Sequence, residues 1–327
     1  MELGSEKALA LVLCAVVGVT GFAVYSIVIM NQPDVRIGYL TKDLHQLALQ
    51  VAYAKGWFED ENLSVELVQY ANGAYEMDGF MAGQIDMGYL GIAPAMTKRV
   101  NQGIGVTILA AANLEGSALM VHKGLYESGN ITSVSDLVGK TILQPGPSTV
   151  QNFLLRLALE QHNVSIQDVL LETARPQDMA ISLSEERPAF IAWEPFPALA
   201  EYNGLAVPLL LSRDIWPLHP CCVLAVSDSF LAAHPDRVEK VVKIHKMAIE
   251  WITQHPEEAL TIATQWLESP QAPVETAFNR IVYTYTLNVT DVRRYAEFLS
   301  SQGLIDLRPE EIDPFLDEFV NPEFIEA

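Results

Sequence analysis

The residues that could do chemistry gather where strand-like apolar runs give way to helix-like ones. Pro145-Gly146-Pro147-Ser148-Thr149 sets two hydroxyls at one such point. Ser148 or Thr149 can cap the helix that follows, and a helix start offers free N–H groups and a positive dipole end to an anion. The plainer role is a cap with no ligand. Leu90-Gly91-Ile92-Ala93-Pro94 repeats the layout with Gly91 at the junction, and Asn72-Gly73 closes another strand-like run. Two helix N-termini facing one cleft would hold an oxyanion with neutral donors alone. Further candidates surround them. Lys42 and His45 share a loop and could add cationic donors, or could be solvated surface residues. Trp193 ends a strand and could wall a ligand or pack in the core. Glu194 could seal the site or accept from a ligand amine. Asn113, Ser117 and His219 stand where the chain is expected to pass between two halves. Glu115, among them, keeps a cationic or zwitterionic ligand open.

Other chemistries find less support. The chain carries 41 acidic and 20 basic residues, a net charge of −21, and no basic run. A nucleic-acid partner is thereby excluded, since phosphate neutralisation needs a basic surface. No Gly-x-Ser-x-Gly, His-Glu-x-x-His or phosphate-loop motif occurs, so no catalytic residue is expected. Cysteine is limited to Cys14, Cys221 and Cys222, without a disulfide framework or zinc spacing. Cys221-Cys222 reads as two small buried apolar side chains on a strand, and neither a metal nor a cofactor is expected.

The elements that must position these residues alternate. Strands are expected over 35–40, 63–69, 85–90 and 106–112, with helices over 44–55, 75–82 and 94–102. This βαβαβα order marks a mostly parallel sheet with helices on its faces. A second unit follows, with strands over 118–122, 140–143, 169–172 and 189–193 and helices over 149–162 and 177–183. One late strand is expected over 223–227. Helices then fill 238–254, 256–266, 273–283, 289–302 and the stretch from 309. Two such units with a returning strand imply two lobes, 34–113 with 220–327 and 114–219, and open α/β sheets bind ligands beyond their strands' carboxyl ends.

Ahead of this body, residues 8–30 are uncharged and almost wholly apolar. A helix of that length, roughly 35 Å, suffices for a bilayer core. A cleaved signal peptide is the alternative, with Gly21 and Ala23 as its cleavage site, but its apolar region is normally about 7–15 residues. Leu13 is not small, which argues against lipidation of Cys14. Residues 1–33 are therefore expected to form a membrane anchor, with the body extracytoplasmic. Four Asn-x-Ser/Thr sequons, at Asn62, Asn130, Asn163 and Asn288, fit an exported chain.

The body from 35 to 302 resembles the solute-binding proteins of ABC importers, in the nitrate, sulfonate, taurine and thiamine-precursor group. The resemblance rests on Val35-Arg36-Ile37-Gly38-Tyr39-Leu40, Ala54-Lys55-Gly56-Trp57-Phe58 and Met81-Ala82-Gly83-Gln84-Ile85-Asp86-Met87-Gly88. Asp136-Leu137-Val138-Gly139-Lys140, Trp193-Glu194-Pro195-Phe196, and Phe230 with His234-Pro235 extend it. Ser184-Glu185-Glu186-Arg187-Pro188-Ala189 departs from the family's usual turn. The resemblance implies an α/β, two-lobed periplasmic binding protein type II fold. It implies capture of a small oxyanion-type ligand, delivery to a permease and its ATPase at the cell membrane, and a monomer. A membrane-tethered sensor is the rival, although the chain to Ala327 carries no signalling domain. The fungal-type pyrimidine synthases of thiamine biosynthesis resemble this group and bear a longer cysteine cluster where Cys221-Cys222 stands. They also place a lysine and a histidine after the third strand, and Leu90-Gly91-Ile92-Ala93-Pro94-Ala95 has neither.

Overall fold

Val35–Leu40 (β1) is the strand from which the first sheet grows. In this computed structural model, which describes residues 32–321 and 323–326, β1 pairs in parallel with Val65–Tyr70 (β2) and with Met87–Gly91 (β3). Asp86, at the entry to β3, accepts from the Arg36 backbone N–H at 2.8 Å and from its guanidinium Nη2 at 2.6 Å. That pairing fixes the β1–β3 register at the strand end. Val106–Ala111 (β4) is buried at every position, as expected for a strand covered on both faces. The segment 8–30 lies outside the described residues. Among those described, no helix is long and apolar enough to cross a membrane.

After β4 the chain leaves this sheet. Asn113–Glu115 (β5) leads into a second sheet formed by Ser117–His122 (β6), Thr141–Gln144 (β7), Leu170–Thr173 (β8), Ala189–Trp193 (β9) and Ala206–Leu211 (β10). Its order is β10-β6-β9-β7-β8. The chain then returns through Leu218–Cys221 to Cys222–Ser227 (β11). This strand inserts antiparallel between β3 and β4, giving the first sheet the order β2-β1-β3-β11-β4. The outgoing and returning segments bond to each other, with Glu115 N–H donating to His219 O at 3.1 Å and Cys221 N–H to Asn113 O at 3.2 Å.

Three expectations change. The first long helix is Leu47–Ala54 and not 44–55, because residues 43–46 spend their side chains on a buried turn. The helix expected over 273–283 stops at Phe278, and Ile281–Tyr283 (β12) pairs antiparallel with β5 beside the crossing. No strand is expected over Ala206–Leu211, yet as β10 it pairs antiparallel with β6 at the edge of the second sheet. Aromatic rings tie the two halves: Phe153, in helix Val150–Gln161, lies 4.2 Å by centroid from Tyr295, in helix Val289–Ser301. Trp216 joins them, 5.0 Å from Tyr295.

Candidate functional site

The loop after β1 is built around Gln46. Its Oε1 accepts from Leu40 N–H at 2.8 Å, and its Nε2 donates to Tyr89 O at 2.9 Å and to Asp43 Oδ2 at 3.1 Å. Asp43 Oδ1 in turn accepts from His45 N–H at 2.9 Å. These bonds aim a fully buried imidazole. His45 Nε2 donates to Gly116 O at 2.8 Å, since a carbonyl can only accept. Gly116 has φ +85°, and a Cβ there would lie 2.3 Å from His45 Nε2, so no other residue fits. His45 Nδ1 is left facing Cys221 Sγ at 3.6 Å and Cys222 Sγ at 3.7 Å. The cysteines are buried as expected, but their sulfurs meet an imidazole and not a purely apolar core. Sequence spacing could not reveal this, because 176 residues separate His45 from Cys221.

The electrostatics follow from this packing. Burial raises the Asp43 carboxyl to about 6, against the pull of His45. Burial opposes charge on His45, yet the Cys221 sulfur and Asp43 outweigh it and hold the imidazole up to about 9. A hydrogen bond from Cys222, with help from His45, holds the Cys221 thiol well below its usual range, and the Cys222 thiol moves up.

These groups open onto a small cavity of about 20 Å³ between the two sheets. Asp43, His45, Cys221 and Cys222 line one side, with Gly73 and Gly91 at two helix starts. Thr149, Val150 and Gln151 line it from the start of helix Val150–Gln161, and Trp193 completes it. Val150 and Gln151 sit in a first turn, where N–H groups have no carbonyl four residues back. Trp193 is 4% exposed and its indole Nε1 has no partner among the described residues, a costly state for a buried donor.

The structure thus brings together His45, Gly73, Gly91, Thr149 and Trp193 of the residues singled out from sequence, and leaves the others off the lining. Lys42 is exposed with φ +49°. Asn72 caps helix Gly73–Met81 by accepting from Ala74 and Tyr75 N–H. Asn113 Oδ1 accepts from Cys222 N–H at 3.0 Å, and Ser117 Oγ accepts from Gln151 Nε2 at 3.0 Å. Glu194 is fully buried against Arg280. His219 is buried beside Tyr295, and its Nε2 has no partner among the described residues. Glu115, the residue that left a cationic ligand open, is occupied with Leu218 N–H and Arg213. Asp43, Cys221 and Cys222 are lining residues that the sequence did not single out as ligand contacts.

Ser148 is half-buried and off the lining, whereas the Thr149 hydroxyl accepts from Asn152 N–H at 3.3 Å and donates to Gly146 O at 2.7 Å. Thr149→Ala is accordingly expected to cost about 1 kcal/mol of stability as a lost cap. Ser148→Ala should stay within about 0.5 kcal/mol. Urea unfolding of both variants checks this, and equal losses would remove the distinction.

A family model described as NMT1-like matches residues 30–268. A Bacillus subtilis protein provisionally named as aliphatic sulfonates-binding is 27% identical over 69% of this chain and 67% of its own. Among solved structures, the ligand-binding component of an ABC-type import system from Staphylococcus aureus, with zinc bound, is 22% identical with a TM-score of 0.79, over 90% of this chain and 99% of that one. The periplasmic nitrate-binding protein of Synechocystis PCC 6803 is 14% identical with a TM-score of 0.79, over 90% and 89%. These likenesses give the α/β periplasmic binding protein fold. With the family model covering well over half its length, the chain belongs to the NMT1-like family.

Proposed function

We propose that this chain is the solute-binding component of an ABC importer, capturing a small oxyanion-type ligand such as a sulfonate or nitrate and passing it to a permease. Its relatives' names support a carrier and not an enzyme. The two sheets and their paired crossings support lobes of 34–113 with 220–327 and of 114–219. The apolar segment 8–30 supports an anchor that keeps the body extracytoplasmic.

The observation that carries the ligand class is the buried Trp193 indole N–H, without a partner among the described residues, on a side chain that lines the cavity together with the first turn of helix Val150–Gln161. Neutral donors of this kind suit an anion in a chain of net charge −21. Asp43 on the same lining favours a ligand that also carries an amine, such as an aminosulfonate. A thermal-shift panel of nitrate, bicarbonate, alkanesulfonate and taurine should raise the melting temperature for the true ligand class. Trp193→Phe should then weaken that ligand by about 10- to 100-fold, the worth of one hydrogen bond to a charged group. Unchanged affinity by calorimetry would move the ligand elsewhere, and stabilisation by cations alone would reject the anion.

A further inference from the structure

His45, Cys221 and Cys222 bring one imidazole nitrogen and two sulfurs within 4.8 Å of one another. They come from the loop after β1 and from the returning segment at the mouth of β11, so the fold and not the sequence spacing assembles them. Both cysteines are free thiols. A tetrahedral zinc ion with bonds of about 2.3 Å to sulfur and about 2.0 Å to nitrogen sets those two ligand types about 3.5 Å apart. The imidazole nitrogen lies 3.6 Å and 3.7 Å from the two sulfurs, so the donors already stand at nearly the spacing such an ion demands.

We propose that His45 Nδ1, Cys221 Sγ and Cys222 Sγ form a Zn²⁺ site at the base of the cleft, with the fourth coordination position open to the cavity. The surroundings suit that role. A metal-bound histidine normally donates its other ring nitrogen to a fixed acceptor, and His45 Nε2 donates to Gly116 O at 2.8 Å. That leaves Nδ1 as the coordinating atom. The Cys222 backbone is held in turn by Asn113 Oδ1 at 3.0 Å. Two thiolates and a neutral imidazole give a Zn²⁺ centre with no net charge, which lowers the cost of burying it. Coordination sends the protons held by the thiols and by Nδ1 to solvent. All three side chains line the cavity, so a small anion in the cleft could complete the tetrahedron. This last point alone rests on the proposed function.

The test is a Co²⁺ titration of the reduced full-length chain, with no oxyanion present. The expected result is a thiolate-to-cobalt charge-transfer absorption that saturates at one equivalent and is bleached by Zn²⁺. Cys221→Ser and Cys222→Ser should each weaken binding by at least about 100-fold, the upper end of what even an outer-shell loss costs. The wild-type absorption decides the matter even where a variant fails to fold. Its absence at stoichiometric Co²⁺, or unchanged affinity in the double variant, overturns the site. Calorimetry of the chelated protein with a sulfonate tests anion binding separately, so either reading can fail without the other.

Discussion

Arg280→Ala is expected to destabilise the protein by about 3–5 kcal/mol at neutral pH, the usual cost of leaving one member of a buried ion pair alone. Glu194 is fully buried. Its Oε1 accepts from Arg280 Nη1 at 3.0 Å, and its Oε2 accepts from Ala198 N–H at 3.0 Å. Arg280 also reaches the more exposed Glu201 at 2.6 Å. Without the guanidinium, a buried carboxylate keeps one hydrogen bond and loses its main counter-charge. The sign with pH follows. Burial already raises the Glu194 carboxyl, and Arg280 is the main group pulling it back. The variant therefore lifts it further above its unfolded value. A raised carboxyl contributes stability that is present in acid and lost as pH rises through the folded value. The deficit against wild type should thus be largest at neutral pH and narrow in acid. Replacing both members, as Arg280→Met with Glu194→Leu, should recover much of the loss, because the desolvated charge goes with its partner. Urea unfolding across pH is the measurement. A deficit under about 1 kcal/mol, or one independent of pH, would mean that water reaches Glu194.

The same residue illustrates how much of the site could be read in advance. Trp193-Glu194 ends a fully apolar strand, and its placement follows from local pattern alone. The role of Glu194 depends on Arg280, 86 residues away, and nothing local announces it. Most strands and helices were legible within a few residues because their apolar period is a local property. The failures lie where distant partners decide the outcome. Ile281–Tyr283 continues a helical pattern by sequence, but β5 offers it a strand partner. Residues 44–46 look like a helix start until Gln46 is seen bridging β1 and β3. Within the site, loops opening helices were recognisable, so Gly91 and Thr149, which line the cavity, were legible. The thiol–imidazole cluster was not, because its members are neighbours only in the folded chain. Lys42 is a candidate by its charge, and charge in a sequence does not say which way a loop turns.

His245 should govern the acid limb of stability. It is buried in helix Pro235–Gln254, where its Nε2 donates to Ala111 O at 2.8 Å and its Nδ1 accepts from the Tyr89 hydroxyl at 3.0 Å. Burial lowers the imidazole from 6.5 to about 4, against the pull of the Ala111 carbonyl. A depressed value means that the neutral form is favoured by the fold. The stability it contributes is complete above the unfolded value near 6.5 and is lost as pH falls through about 4. At about 1.4 kcal/mol for each pH unit between the two values, the loss is about 3 kcal/mol by about pH 4. Asp43, Glu76 and Glu194 act with the opposite sign, since burial raises all three and their protonation in acid stabilises the fold. The wild-type curve alone therefore mixes both effects. His245→Gln separates them, because the amide can still donate to Ala111 O, cannot titrate, and leaves the three carboxyls in place. The stability advantage of wild type over this variant should shrink by about 3 kcal/mol between about pH 7 and about pH 4. Parallel curves across that window would mean that His245 folds with its proton on, and that Tyr89 and Ala111 do not hold it neutral.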